Sequence, residues 1–251
     1  MTIRTLKEEE LSLLFHYSEL ENWILEEIET EALFYAHPQD FFIALEDEKV
    51  IGFVIAIKDS EKLGFISSLL VLKEFRAKGY GRTILQHALK HLEPLQIALD
   101  CVLGEEKFYE KFGFQPYFDV CIYKFVLGSM EIGSLSLEDF RIEENISHQH
   151  KKEYQKLLFE HEDVVVKTIV SNHEECAYGY IFSYLDGYKI EMHATNINEL
   201  LALFCALTQK LEDGTNIYIK ADMLSPILLS LTKILNMQVH HKYTRMYNKI
   251  I

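Results

Sequence analysis

Between positions 8 and 24 the apolar residues Leu11, Leu14, Phe15, Leu20, Trp23 and Ile24 fall at the spacing of an amphipathic helix. A short strand over 2–7 precedes this stripe. A second helical stretch runs to about Phe34, and His37-Pro38-Gln39 breaks it. The rhythm then changes to compact apolar runs. Strands are expected over 41–45 and 50–57, joined as a hairpin by the turn Asp47-Glu48-Lys49, and a further apolar strand over 63–72. A helix follows over 82–92 and stops before Pro94, because proline cannot continue a helical ladder. After it come a buried strand over 96–102, a short helix over 105–112 ended by Gly113, and a long strand over 117–127.

The pattern then starts again. Gly128, Ser129, Gly133, Ser134 and Ser136 read as a linker over 128–136, and a helix is expected over 145–161. Strands over 177–184 and 188–193 flank the turn Asp186-Gly187. A helix over 198–211, a strand over 216–221, a helix over 226–235 and a final strand over 239–247 complete the chain. Strand, strand, helix, strand, helix, strand is thus the order in both halves. The closing segments match as well: Lys111-Phe-Gly-Phe-Gln-Pro leads to Ile122-Tyr123, and Ile234-Leu-Asn-Met-Gln-Val leads to Met246-Tyr247. A divergent internal duplication is the expected organisation, with one domain over 1–127 and a second, smaller one over 137–251.

Charge narrows the range of functions. The formal net charge is −14, so nucleic acid is not an expected partner: phosphate binding needs a basic footprint. Thirteen carboxylates lie between Lys7 and Lys49, with no lysine or arginine among them. One end of the first domain is therefore expected to be strongly negative. The start MTIRTLKEEE has no apolar signal region, and no apolar run approaches the ~20 residues of a membrane span, so a cytoplasmic protein with no membrane partner is expected. Cys101, Cys121, Cys176 and Cys205 are far apart and lack histidines at ligand spacing, so no metal site is expected.

One segment carries chemistry: Ser67-Ser-Leu-Leu-Val-Leu-Lys-Glu-Phe-Arg-Ala-Lys-Gly-Tyr-Gly-Arg. An apolar strand delivers the chain into a glycine-containing turn that opens a helix. The unpaired N–H groups and the dipole of a helix N-terminus attract phosphate. Gly79 and Gly81 allow close approach, and Arg76, Lys78 and Arg82 add positive charge. In its spacing and context this segment resembles the coenzyme-A signature of the GNAT superfamily of N-acetyltransferases. Phe108-Tyr-Glu-Lys-Phe-Gly-Phe resembles a second segment of that family, and the likeness covers 2–127 in the family's element order.

The resemblance implies an α/β (α+β) fold: a mixed twisted sheet with flanking helices, followed by a smaller module of the same kind. It also implies acetyl transfer from acetyl-CoA to a primary amine. Leu69, Leu70 and Val71 would offer main-chain groups to the pantetheine arm, beside a strand bulge expected at Ser67 and Ser68. Ala77, Lys78, Gly79, Tyr80, Gly81 and Arg82 would hold the pyrophosphate, with Arg76 beside them. Tyr109 matches the family's proposed general acid; packing is its ordinary alternative. The strand glutamate that serves many members as base is missing here. Asp100, in the apolar strand 96–102, is the expected base, and an aspartate binding backbone donors at a strand end is the alternative. The second half has Ala194-Thr-Asn-Ile-Asn where a cradle would stand, with no glycine. It resembles the C-terminal module of tandem GNAT proteins, notably in Tyr243-Thr-Arg-Met-Tyr, whose arginine is either functional or an exposed edge-strand residue. A homodimer is a possible assembly, and a coenzyme-A-binding sensor without chemistry is the alternative function.

Overall fold

The computed structural model describes residues 1–23, 25–128, 140–144, 152–171 and 174–248. Most of the expected linker, 129–136, and the first part of the expected helix, 145–151, lie outside the described residues. The chain divides into two compact units. The first is Met1–Tyr117 together with Thr244–Ile251, and the second is Phe118–Tyr243. The last strand therefore ends in the unit that the chain built first.

The first unit contains β1 (Thr2–Thr5), α1 (Leu11–Leu20), α2 (Glu27–Ala36), β2 (Phe41–Glu46), β3 (Lys49–Ile57), β4 (Leu63–Val71), α3 (Tyr80–Leu92), β5 (Gln96–Val102) and α4 (Glu106–Glu110). Its sheet has the order β1-β2-β3-β4-β5, followed by the end of the chain's last strand, β12 (Gln238–Tyr247). The pairs from β1 to β4 are antiparallel; β4 and β5 run parallel, with α3 as their crossover. This is the mixed sheet with flanking helices expected from the sequence. The helix stripe over 8–24 resolves into a short 3-10 turn and α1, and α2 is separate.

Both faces of this sheet are packed. On one, Ile84, Leu85, Ala88 and Leu92 of α3 meet Val54, Ile66, Ile97, Leu99 and Cys101. On the other, Leu11 and Leu14 of α1 and Phe34 of α2 cover Phe41, Ile43, Phe53, Ile55 and Leu70. Each fully buried side chain of this size contributes roughly 1.5–3 kcal/mol relative to exposure. The acidic N-terminal stretch is partly used inside the unit. Buried Asp40 bonds His91 at 2.7 Å and accepts the Lys58 N–H at 3.3 Å, while Glu10 holds Arg4 at 2.6 Å.

The second unit holds most of β6 (Gln115–Val126), then β7 (Arg141–Glu143), α5 (Glu153–Leu158), β8 (Val165–Ser171), β9 (Glu174–Tyr184), β10 (Gly187–Ala194), α6 (Ile197–Thr208), β11 (Asn216–Asp222), α7 (Pro226–Ile234) and the start of β12. Here the order is β12-β6-β11-β10-β9-β8-β7. Strands β10 and β11 are parallel, and α6 and α7 pack on the sheet through Leu200, Leu203, Phe204 and Leu231. Strands β7 and β8 go beyond the sequence expectation. The signal for β8 was present in the β-branched run Val164-Val-Val-Lys-Thr-Ile-Val. Among the described residues, no helix is long and apolar enough to cross a membrane.

One glycine in the first unit is fixed by packing. A Cβ on Gly52 of β3 would lie 2.1 Å from the Leu70 carbonyl oxygen, which is backbone and cannot turn aside. Gly52→Ala is therefore expected to displace β4 and destabilise the protein by about 1–3 kcal/mol, the usual cost of overpacking. Urea unfolding of wild type and variant measures this, and equal midpoints would contradict it.

Candidate active site

The site begins where two parallel strands stop pairing. Strands β4 and β5 are in register from Leu63↔Gln96 to Ile66↔Leu99 and no further. Just beyond, β4 carries a bulge. Phe53 faces Leu70 and Ile55 faces Ser67, so Ser68 and Leu69 together oppose Val54. Ser68 takes a left-handed φ of 53° to accommodate the extra residue. The extra residue also reverses the alternation of faces. Ile66 faces α3, and so do Leu69 and Val71, while Leu70 turns to the α1–α2 side. From Ser67 onward β4 leans on β3 alone, and its edge toward β5 is open. The bulge thus lies at the two serines picked out in the sequence.

Beyond β4, Leu72 is buried and its N–H bonds the Ile51 carbonyl at 2.9 Å, which anchors the approach to the turn. Ala77 then takes φ 59° and Gly79 takes φ 89°, and Gly79 forms the N-cap of α3. Left-handed residues set among ordinary ones curl successive N–H groups toward one concavity, a backbone arrangement that holds anions. The N-terminus of α3 adds its own donors and dipole. Nothing lies within 4 Å of a Cβ built on Gly79, so that glycine is required by its backbone angle. Gly81 differs. Its missing Cβ points between β4 and α4, 3.5 Å from Val71 Cγ2 and 3.7 Å from Phe108 Cζ, so a larger side chain would fill that gap.

The cationic side chains are arranged around this turn, and carboxylates position part of it. Arg76 Nε donates to the Val71 carbonyl at 2.9 Å, and its Nη2 reaches Glu21 at 2.5 Å. The other oxygen of Glu21 accepts the Lys73 N–H at 3.1 Å. Glu21, one residue past α1, therefore fixes the turn from outside it and pairs with the Arg76 guanidinium. Lys78 lies over the Phe75 ring and Arg82 over the Phe112 ring; both are exposed. The Tyr80 hydroxyl donates to Glu46 at 2.5 Å. Neither glutamate stood out in the sequence, because their partners are 34 and 55 positions away.

Tyr109 stands on α4 on the α3 side of the sheet, its ring edge-on to Phe108 at 5.0 Å and to Phe114 at 6.1 Å. Phe114 donates its N–H to the Tyr109 carbonyl, and Gly113 with φ 85° closes the helix, as its C-cap position requires. Burial pushes the Tyr109 phenol well above its ordinary value, with Cys101 and Glu105 adding to the rise. The phenol is accordingly a proton donor throughout the neutral range. Burial also pushes the Cys101 thiol up to about 12, so it stays protonated and is not a nucleophile.

Asp100 occupies the first position of β5 beyond the paired stretch, on the face away from α3. It is not the isolated carboxylate that its apolar strand suggests. Arg245 of β12 grips it with two prongs, Nε to Oδ1 at 2.5 Å and Nη2 to Oδ2 at 3.1 Å. Arg245 is no exposed edge residue either: its side chain is 16% accessible and lies over the Phe65 ring at 5.1 Å. Burial works against its charge, but the Asp100 carboxylate and Tyr247 together outweigh that and hold the Arg245 pKa above its ordinary value.

The second unit has a comparable fork without the cradle. Strands β10 and β11 pair only from Gly187↔Asn216 to Ile190↔Ile219. The donors that open α6 are already engaged. Asn196 Oδ1 accepts the N–H groups of Asn198 and Glu199 at 3.0 and 3.1 Å. The buried Glu199 carboxylate accepts both the N–H and the hydroxyl of Thr195, at 3.1 and 2.8 Å. The side-chain amide of Asn196 thus caps the start of that helix, and the Glu199 carboxylate ties down the residue before the cap.

Comparison with known proteins agrees with this geometry. The description "Acetyltransferase (GNAT) family" matches residues 3–114. Among solved structures, a tandem GNAT protein from the clavulanic acid biosynthesis pathway is similar over 100% of this chain and 99% of its own, with TM-score 0.69 and 8% identity. A Pyrococcus horikoshii protein assigned to the acetyltransferases is similar over 98% of this chain and 88% of its own, with TM-score 0.74 and 14% identity. A GCN5-related N-acetyltransferase from Sphaerobacter thermophilus shares the fold over 98% of this chain and 94% of its own, at TM-score 0.65 and 10% identity. No curated protein matches in sequence. The chain has the tandem GNAT fold. The family match is confined to residues 3–114 of the first unit, and members of that family use acetyl-CoA.

With one open cradle and one filled by the chain's own side chains, calorimetric titration with acetyl-CoA is expected to give one site per chain. Gly81→Glu is expected to abolish it, since the new carboxylate would enter the gap beside Val71 and repel phosphate. Two equivalent sites, or unchanged affinity in the variant, would contradict this placement.

Proposed function

We propose that this protein transfers the acetyl group of acetyl-CoA to a primary amine borne by a cationic acceptor, by direct attack in a ternary complex. Three features of the first unit support the reading: the open edge of β4, the turn at Ala77–Arg82 and the buried phenol of Tyr109. The pyrophosphate is held by backbone N–H groups of Ala77, Lys78, Gly79, Tyr80 and Gly81, with Lys78, Arg82 and Arg76 supplying charge. Main-chain groups of Leu69, Leu70 and Val71 line the pantetheine arm along the edge left free by β5.

The chain's residues then divide the work. A backbone N–H of the bulged β4 polarises the thioester carbonyl. Tyr109 donates its proton to the departing sulfur as the carbon–sulfur bond breaks and the carbon–nitrogen bond forms, and it is reprotonated from solvent. The acceptor ammonium loses two protons in all and the sulfur gains one, so one proton is released net. Asp100, held two-pronged by Arg245, receives the acceptor cation on the face away from α3. With both oxygens so held, anchoring is the role its geometry favours over that of a base.

Tyr109→Phe removes a proton donor and leaves the ground-state packing intact. It is expected to lower kcat by roughly ten- to a thousand-fold with little change in acetyl-CoA affinity. Thiol release under saturating acceptor measures this, and full activity would return Tyr109 to a packing role. Acetyl-CoA binding with no thiol release across an amine panel would mark a sensor instead of an enzyme.

The acceptor class follows from charge. Glu19, Glu27, Asp47 and Glu48 remain exposed in the stretch without lysine or arginine, and a field of one sign concentrates ions of the other. Polyamines, amino sugars or lysine side chains are expected to outperform neutral and anionic amines. Their kcat/KM is expected to fall with added salt, as the Debye length shrinks below ~10 Å above 0.1 M. A salt-insensitive kcat/KM, or a preference for anionic amines, would remove the argument.

A further inference from the structure

The end of the chain is wired into the fork. Beyond the pair between Arg245 and Asp100, Asn248 clips β5 from both sides: its N–H donates to the Ile97 carbonyl at 3.0 Å, and its Oδ1 accepts the Ile97 N–H at 2.8 Å. Along β12, Met246 joins the α3-side core, so Arg245 projects to the opposite face, where Phe65 of β4 and Asp100 of β5 also lie. Phe65 pairs with Ala98, one position short of where the strands part, and Asp100 stands one position past it. The guanidinium therefore spans the mouth of the fork, resting on one strand's ring and gripping the other strand's carboxylate. A two-pronged guanidinium–carboxylate pair fixes the plane of the carboxylate as well as its charge, which a lysine cannot do.

We propose that Arg245 is a positioning residue for the acetyl-acceptor: it orients the Asp100 carboxylate at the mouth of the fork so that the acceptor's ammonium docks against it. This rests on the acetyl-transfer reading above. It makes the last strand of the chain part of the catalytic unit in function as well as in packing. The coenzyme cradle lies past the end of β4, whereas Arg245 holds Asp100 on β5, so loss of Arg245 acts on the acceptor and leaves acetyl-CoA binding in place.

The test uses the full chain with Arg245→Ala, Arg245→Lys and Asn248→Ala. Asn248→Ala loosens the same strand without touching Asp100. For each variant, acetyl-CoA affinity is measured by calorimetry, Tm by thermal unfolding, and acceptor KM and kcat with spermidine or the best amine of the panel. Arg245→Ala is expected to raise acceptor KM by about ten- to a hundred-fold and to leave acetyl-CoA affinity within about twofold. Arg245→Lys is expected to fall between it and wild type. Asn248→Ala is expected to lower Tm with acceptor KM unchanged. If Arg245→Ala does not fold, the contrast between Arg245→Lys and Asn248→Ala carries the same decision. An unchanged acceptor KM in the arginine variants, or an equal rise in Asn248→Ala, overturns the proposal and leaves a purely structural latch. Failure of the wild-type protein to bind acetyl-CoA or release thiol overturns the acetyl-transfer reading and this proposal with it, so the two failures are distinguishable.

Discussion

The parting of β4 from β5 after Ile66 and Leu99 is the constraint on which the rest of the first unit depends. A strand edge inside a sheet carries unpaired donors and acceptors, and leaving it open is costly unless something takes them up. Here the bulge at Ser68 shifts the register of β4 against β3, and Gly52 lets the Leu70 carbonyl come close. The bulge also decides which side chains face α3. Without it Leu70 would turn to that side, and the approach to the turn at Ala77–Gly79 would rotate with it.

Around that fork the chain places opposed chemistries on opposed faces. The α3 side is apolar and carries Tyr109, whose buried phenol holds its proton. The other side carries a fixed ion pair, Asp100 with Arg245. The turn at Ala77–Gly79 is set by backbone angle, and Gly79 stands there because its φ requires a glycine.

The second unit repeats the early parting of two parallel strands but closes the following helix differently. Asn196 satisfies the start of α6 from within, and Glu199 ties down the residue before the cap. An asparagine at the N-cap stabilises a helix by about 1 kcal/mol relative to alanine and engages its first donors.

Much of this was legible in the sequence. The element order of the first unit, the limits of β5 and the turn at Arg76–Arg82 are encoded locally, in apolar rhythm, in glycine positions and in helix caps that neighbouring residues specify, while the bulge at Ser67–Ser68 was implied by the family resemblance. Strand β8 is equally local, in the β-branched run from Val164 to Val170. The partners of Asp100, Arg76 and Tyr80 were not legible. Arg245, Glu21 and Glu46 lie 145, 55 and 34 positions away, and no periodicity records a contact across such distances. Nor could the sequence show that the chain's last strand closes its first unit. Strand identity is a matter of local pattern, but strand neighbours are chosen by which edges remain unpaired once the chain has collapsed, and only the tertiary structure decides that.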